Sequence, residues 1–266
     1  MKSTRFACGF ATIVALLLSL SGLHGSASAG GAAGAPSFSI LVYHRFGSAA
    51  SNEMTIRTST LRSQLEYLKA HHYPVVPLRD VIAYLRGTGP QPPASAVVIT
   101  VDDGHKSVET EMLPMVRQFG VPVTLFIYPS AISNASYAMT WADVDGLRAT
   151  QLFDVQSHTY WHPNFKIERR RLAPEPFRAF SSKQLCRARD VLQQRTGTAP
   201  DLLAWPFGIY DEEVAGIARD CGYVAAFTLG RQPVARGANL MALPRYLVTD
   251  DAVGKRFAAL LPPEPK

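Results

Sequence analysis

Eight short apolar runs constrain this chain more than any other feature of it; they occupy 38–43, 73–78, 96–101, 121–128, 152–155, 202–205, 223–229 and 243–248. They are nearly continuous rather than alternating, which is the pattern of strands covered on both faces. Segments of helical periodicity separate them. Leu61, Leu65 and Leu68 share one face, as do Val108, Met112, Met115 and Val116, where Pro114 predicts a distortion. Thr140-Trp141-Ala142-Asp143 has capping-box spacing and opens a short helix through Leu147. Leu185, Ala188 and Leu192 mark another helix, stopped by Gly197, and Asp211 caps one that ends near Gly222. Strand and helix in alternation predict one parallel, barrel-like α/β domain. With 266 residues, 47% hydrophobic and 18% charged, the chain can fill such a core and is neither a disordered segment nor a small disulfide scaffold.

The N-terminus reads differently. Lys2 and Arg5 precede an uncharged, mainly apolar run over 6–20, too short for a spanning helix. Ser26-Ala27-Ser28-Ala29 then offers the small residues of a cleavage site. The expected organisation is a signal peptide over 1–29, a flexible lead-in over 30–36, one domain over 37–250 and a tail over 251–266. No later stretch approaches membrane length, so the processed protein is expected in the periplasm or secreted, without a stable membrane span. Loss of Lys2 and Arg5 takes the net charge from +6 to +4, spread along the chain. Arg169-Arg170-Arg171, near Lys166, reads as a solvated surface, and no nucleic-acid partner is expected. Cys8 precedes the apolar run and is not placed as a lipid anchor. Cys186 and Cys221 can pair in an oxidising compartment, a point the sequence leaves open.

Three segments carry chemistry. Val97-Val98-Ile99-Thr100-Val101-Asp102-Asp103-Gly104 is an apolar strand ending in adjacent carboxylates. The carboxyl ends of parallel strands line the sites of α/β folds, and two neighbouring negative charges invite a divalent cation; Asp-Asp-Gly alone is also a common turn. His158 and His162 follow the next-but-one run at metal-ligand spacing, and Pro163 favours a loop over a helix there. Trp205-Pro206-Phe207-Gly208, at another strand end, suits a rigid wall for a ring-shaped ligand, or equally core packing and a turn.

Together these pieces resemble the NodB-homology polysaccharide deacetylases, a carbohydrate esterase family. The Tyr43-His44 pair ending the first strand is similar to the biofilm poly-N-acetylglucosamine deacetylase branch. Residues 100–104 resemble the T-F-D-D-G motif, with Val101 in place of Phe; His158 through His162 resembles H-[ST]-x-x-x-H; and Trp205 to Gly208 stands where a Pro-aromatic-Gly segment belongs. The resemblance implies a single distorted (β/α) barrel and an exported hydrolase that removes N-acetyl groups from a hexosamine-containing polysaccharide. It implies one divalent metal, zinc or else cobalt or nickel, on Asp103, His158 and His162, with Asp102 as general base. Trp205, Pro206, Phe207 and Tyr160 would contact the sugar, and a backbone N–H near Phe207 would face the oxyanion. The protein is expected to act as a monomer.

The chain departs from the pattern twice. The Arg that many members carry before the Pro-aromatic-Gly segment is absent, Leu202, Leu203 and Ala204 standing there, and no His follows His162. Arg245, in the last run beside the first strand of a closed barrel, is expected to replace the Arg. His44 is the expected catalytic acid, with His105 second. His71 and His72 precede the amino end of a run and should face away from the site. Two other functions stay open: an O-acetyl esterase on xylan or another acetylated polysaccharide, whose leaving group needs less protonation, and a non-catalytic glycan-binding domain, which has no use for a base beside a metal.

Overall fold

The structure, a computed structural model, describes residues 36–265. The expected signal peptide, with Cys8, lies outside the described residues, as does all of the lead-in except Pro36. The elements are β1 (Ser37–Tyr43), β2 (Arg45–Gly47), β3 (Thr55–Arg57), α1 (Thr58–Ala70), α2 (Leu78–Leu85), β4 (Val97–Asp102) and α3 (Leu113–Phe119). They continue with β5 (Val123–Ile127), α4 (Trp141–Ala149), β6 (Phe153–Ser157), α5 (Phe165–Arg171), α6 (Pro174–Thr196) and β7 (Leu202–Ala204). The last are α7 (Glu212–Asp220), β8 (Ala225–Phe227), β9 (Val234–Ala235), β10 (Tyr246–Leu247) and α8 (Lys255–Ala258).

The main sheet runs β10-β1-β4-β5-β6-β7-β8, with every neighbour parallel, and β9 lies antiparallel on β1. Its two ends meet through residues 243–247: Leu243 bridges Phe227 of β8, and Tyr246 and Leu247 pair with β1. The barrel is therefore distorted as expected, but closed on that side by one bridge rather than by a full strand. A second correction concerns 73–78. This run meets the sheet only through a parallel bridge from Val75 to Val97, and Leu78 already begins α2. Pro74 and Pro77 explain it, since neither can donate a ladder hydrogen bond.

Local signals elsewhere hold. Thr140 and Asp143 form a reciprocal capping box on α4, and the Asp211 carboxylate accepts from the Val214 N–H. Gly120 and Gly197 end α3 and α6 in left-handed conformation. The distortion expected at Pro114 takes the form of a π-helical turn over Val108–Met112.

Strand alternation sorts the core. Val97, Ile99 and Val101 pack outward with Leu61, Leu65, Met112 and Val116 of the helical layer. Phe38, Ile40, Val98, Phe126 and Phe227 fill the other face. On β4 that inward column runs Val98, Thr100, Asp102, so apolar filling gives way to a hydroxyl and then a carboxylate at the strand's carboxyl end. Cys186 on α6 and Cys221 after α7 are joined by a disulfide, with Cα atoms 5.0 Å apart. Closing a loop of 35 residues stabilises by about 4 kcal/mol on the chain-entropy account.

Candidate active site

Five parallel strand ends converge on a cavity of about 320 Å³, lined by His44 and Arg45 after β1, Asp102 at the end of β4 with Asp103 following it, and His158 and His162 after β6. Trp205, Phe207 and Gly208 after β7, Leu229 after β8, Arg245 before β10, and Met54 complete it. Asp102 and Asp103 are consecutive yet share this mouth. The left-handed turn at Asp103, φ 75°, takes the chain out of strand alternation just where the second carboxylate is needed. Gly104 follows in the same conformation; a Cβ there would lie 2.9 Å from Ile127 Cγ2.

Asp103, His158 and His162 each offer a ligand atom, all within 4.8 Å of one another. Asp103 Oδ1 is 3.6 Å from Nε2 of each histidine, too long for a hydrogen bond. Bonds of about 2.1 Å in tetrahedral geometry separate donors by about 3.4 Å, so the spacing fits a zinc-sized ion. His158 Nδ1 donates to Ala204 O at 2.8 Å, which fixes the tautomer and leaves the Nε2 lone pair toward Asp103. Burial pushes His158 down to about 3, against the Asp102 charge, so its imidazole is neutral and able to ligate. His162 is lowered by burial as well. Asp103 is raised by burial, with the like charge of Asp102 adding to it and His44 and Arg45 opposing. A divalent cation answers both the donor spacing and this strained carboxylate; the residues fit the group.

Asp102 is placed differently. Arg245, fully buried, holds it bidentately, Nη1 to Oδ1 at 2.8 Å and Nη2 to Oδ2 at 2.6 Å. The guanidinium also donates to Thr100 Oγ1, and lies 5.4 Å and 5.9 Å from the ring centres of Phe126 and Phe227. Burial alone would push the Asp102 carboxyl up; the charge and hydrogen bonds of Arg245, with help from His158 and His44, bring it down to about 2. His44 lines the cavity with its Nδ1 buried and without a hydrogen-bond partner among the described residues. Burial lowers its pKa against the pull of Asp102 and Asp103. His105 is not among the lining residues; its Nδ1 is engaged with Ser107 Oγ at 2.8 Å, and that oxygen accepts from Phe46 N–H.

The expected sugar-contacting residues divide. Phe207 is 56% exposed, with its ring centre 4.6 Å from that of His162. Trp205 lines the cavity but is 1% exposed, with its indole N–H on Met241 O. Pro206 is buried. Tyr160 is not brought to the cavity: its ring lies 4.1 Å from the Arg187 guanidinium, on the side facing α6. A loop leaving a strand has no fixed alternation, so sequence neighbourhood to His162 did not carry Tyr160 inward. Arg45, Met54 and Leu229 carry no sequence signal of their own: Arg45 is a lone arginine after His44, Met54 lies in the polar stretch between β2 and β3, and Leu229 reads as the end of an apolar run. Asp103, Thr159, His162 and Phe207, all beside this cavity, adopt left-handed backbone at φ 59–75°. Such strain clusters at functional sites.

A parallel barrel whose strand carboxyl ends bring together a carboxylate and two imidazoles at metal-binding distances, beside a second, arginine-held aspartate, has the arrangement of a metal-assisted hydrolase site. The chain belongs to the polysaccharide deacetylase family, whose sequence pattern matches residues 89–226. It is similar to the poly-beta-1,6-N-acetyl-D-glucosamine N-deacetylase of Staphylococcus epidermidis, 24% identical over 210 residues that cover 77% of this chain and 72% of the relative. The enzyme of the same name from Escherichia coli is 25% identical over 262 residues, covering 83% of this chain and 38% of that protein. Among solved structures, the Streptococcus pyogenes deacetylase PplD in complex with acetate superposes with a TM-score of 0.75 at 18% identity, covering 86% of this chain and 100% of that one. IcaB from Ammonifex degensii gives 0.74 at 24% identity, covering 85% and 97%. The fold is theirs. No described helix is long and apolar enough to cross a membrane.

Proposed function

We propose that this protein is an exported, metal-dependent deacetylase that hydrolyses N-acetyl groups of a hexosamine-containing polysaccharide, acting as a monomer. The observation that carries the reading is the division of labour between adjacent aspartates: Asp102 locked on Arg245, Asp103 turned to two neutral histidines. The relatives of known name support the choice of substrate. The N-terminal pattern and a disulfide, a bond of oxidising compartments, support export.

Asp103, His158 and His162 would hold the ion, zinc by preference and cobalt or nickel by the same donor set. When bound, it supplies a Lewis acid for the acetyl oxygen and makes water acidic enough to attack at neutral pH. Asp102, ionised throughout the working range, accepts the proton that water loses as its oxygen adds to the acetyl carbon. Arg245 keeps that carboxylate charged and aimed. Collapse breaks the C–N bond; His44, having taken a proton from solvent, gives it to the departing amine, and Asp102 releases to solvent the proton it took from water. The products are acetate and a free amino sugar. Phe207 offers an apolar face to the sugar ring.

Acetate release from N-acetylated hexosamine oligosaccharides, set against O-acetylated xylan oligosaccharides with and without chelator, tests the reading. Chelator-sensitive release from the amide is expected. Release from the ester alone would make the protein an esterase, and release from neither would leave a glycan-binding domain.

A further inference from the structure

We infer that Arg45 sets the charge preference of the cavity, so that it accepts neutral or anionic glycan and rejects a stretch carrying a free, protonated sugar amine. This rests on the proposed N-deacetylase reading and extends it to the sugars flanking the cleaved group. Arg45 opens β2 and lines the cavity beside His44, with its Nε buried and unpartnered among the described residues. The two carboxylates of the cavity are committed elsewhere. Asp102 is taken by both terminal nitrogens of Arg245, and Asp103 faces His158 and His162, where a divalent ion would outweigh its single charge. Arg45 is thus a cation that forms no ion pair with the cavity's own acids among the described residues.

Within the cavity its charge reaches Asp103 and His44. Its backbone is fixed, with the N–H on Met54 O at 3.0 Å and the residue paired in register with Thr55 of β3. The reaction turns a neutral acetamide into an amine that water protonates. Along a hexosamine polymer each turnover therefore leaves a positive charge next to the following substrate. A fixed guanidinium at the mouth repels that charge, which is specificity by an unfavourable contact. It speeds departure of the product and spaces the deacetylated sugars apart.

The test measures binding of a fully N-acetylated and a fully de-N-acetylated hexosamine oligosaccharide of equal length and linkage, by calorimetry at about pH 6, where a free amine is protonated. Zinc-loaded wild type, Arg45→Lys, Arg45→Gln and Arg45→Glu are compared, with metal content and melting verifying that each is folded. Wild type should prefer the acetylated probe. Arg45→Gln should cut the preference by roughly tenfold and Arg45→Glu by more, while Arg45→Lys should keep it. A preference unchanged in the Gln and Glu variants, or wild type binding the two probes equally or neither, overturns the assignment. Acetate release from the acetylated probe separates the two ideas: release with an unmoved preference overturns Arg45 alone, and a moved preference without release overturns the N-deacetylase reading alone.

Discussion

Replacing Arg245 with methionine should damage this protein in two measurable ways at once. The guanidinium meets Asp102 through contacts of 2.6 and 2.8 Å in a fully buried setting. With charge centres about 4 Å apart and an effective dielectric of about 20, the attraction is about 4 kcal/mol, or about 3 pKa units. Asp102, held at about 2 in the native protein, would rise to roughly 5. In wild type the depressed pKa contributes stability that is present above the unfolded value near 3.9 and lost as pH falls through about 2. In Arg245→Met the folded pKa exceeds the unfolded one, so the sign inverts and the carboxylate destabilises the fold at neutral pH. Breaking a buried pair from one side costs about 3–5 kcal/mol. Urea denaturation at neutral pH should show that loss, shrinking as the pH is taken toward 4. The acid limb of kcat/KM should move up by about three units, since the proton acceptor now arrives protonated. Arg245→Lys, one point charge for a planar fork, should recover part of both effects. An acid limb that stays put, with stability within about 1 kcal/mol of wild type, would refute the role given to the pair.

Further outcomes follow from the same geometry. His158→Ala should strip the protein of its divalent ion, read by metal analysis; equal occupancy in variant and wild type would remove His158 from the ligand set. Asp102→Asn should keep the ion yet lose turnover by roughly a hundredfold or more, and loss of the metal instead would mean that the two aspartates have exchanged roles. His44→Ala should slow N-acetyl hydrolysis by roughly a hundredfold with metal content unchanged, and activity within a few-fold of wild type would point to another proton source. Reduction of the Cys186–Cys221 bridge should lower unfolding free energy by up to about 4 kcal/mol without touching the metal site; an unmoved denaturation midpoint would contradict the bridge.

What could be read before folding was local. Caps at Thr140 and Asp211, the stop at Gly197, and the Asp-Asp-Gly and His-x-x-x-His segments each depend on residues within a turn or two of one another. Arg245 could be nominated only because a closing barrel brings the last strand beside the first, 143 residues from its aspartate. The run at 73–78 misled because apolar composition reports burial rather than pairing, and Pro74 and Pro77 remove the donors that pairing needs. Tyr160 and Arg45 show the complementary limit. Which way a loop side chain turns depends on backbone left of the strand's regular alternation, and a single arginine carries no periodic signature.

The left-handed residues at the mouth imply a conflict between durability and turnover. Asp103, Thr159, His162 and Phe207 each hold a conformation that glycine would adopt more cheaply, by about 1 kcal/mol apiece. On backbone conformation alone, glycine would suit all four. Two of those changes would remove side chains placed to hold a metal, one the exposed ring, and one the Thr159 hydroxyl that accepts the His162 N–H. Relief of the strain would thus remove the chemistry, so any effort to toughen this protein has to hold these four positions fixed and look for its gains elsewhere.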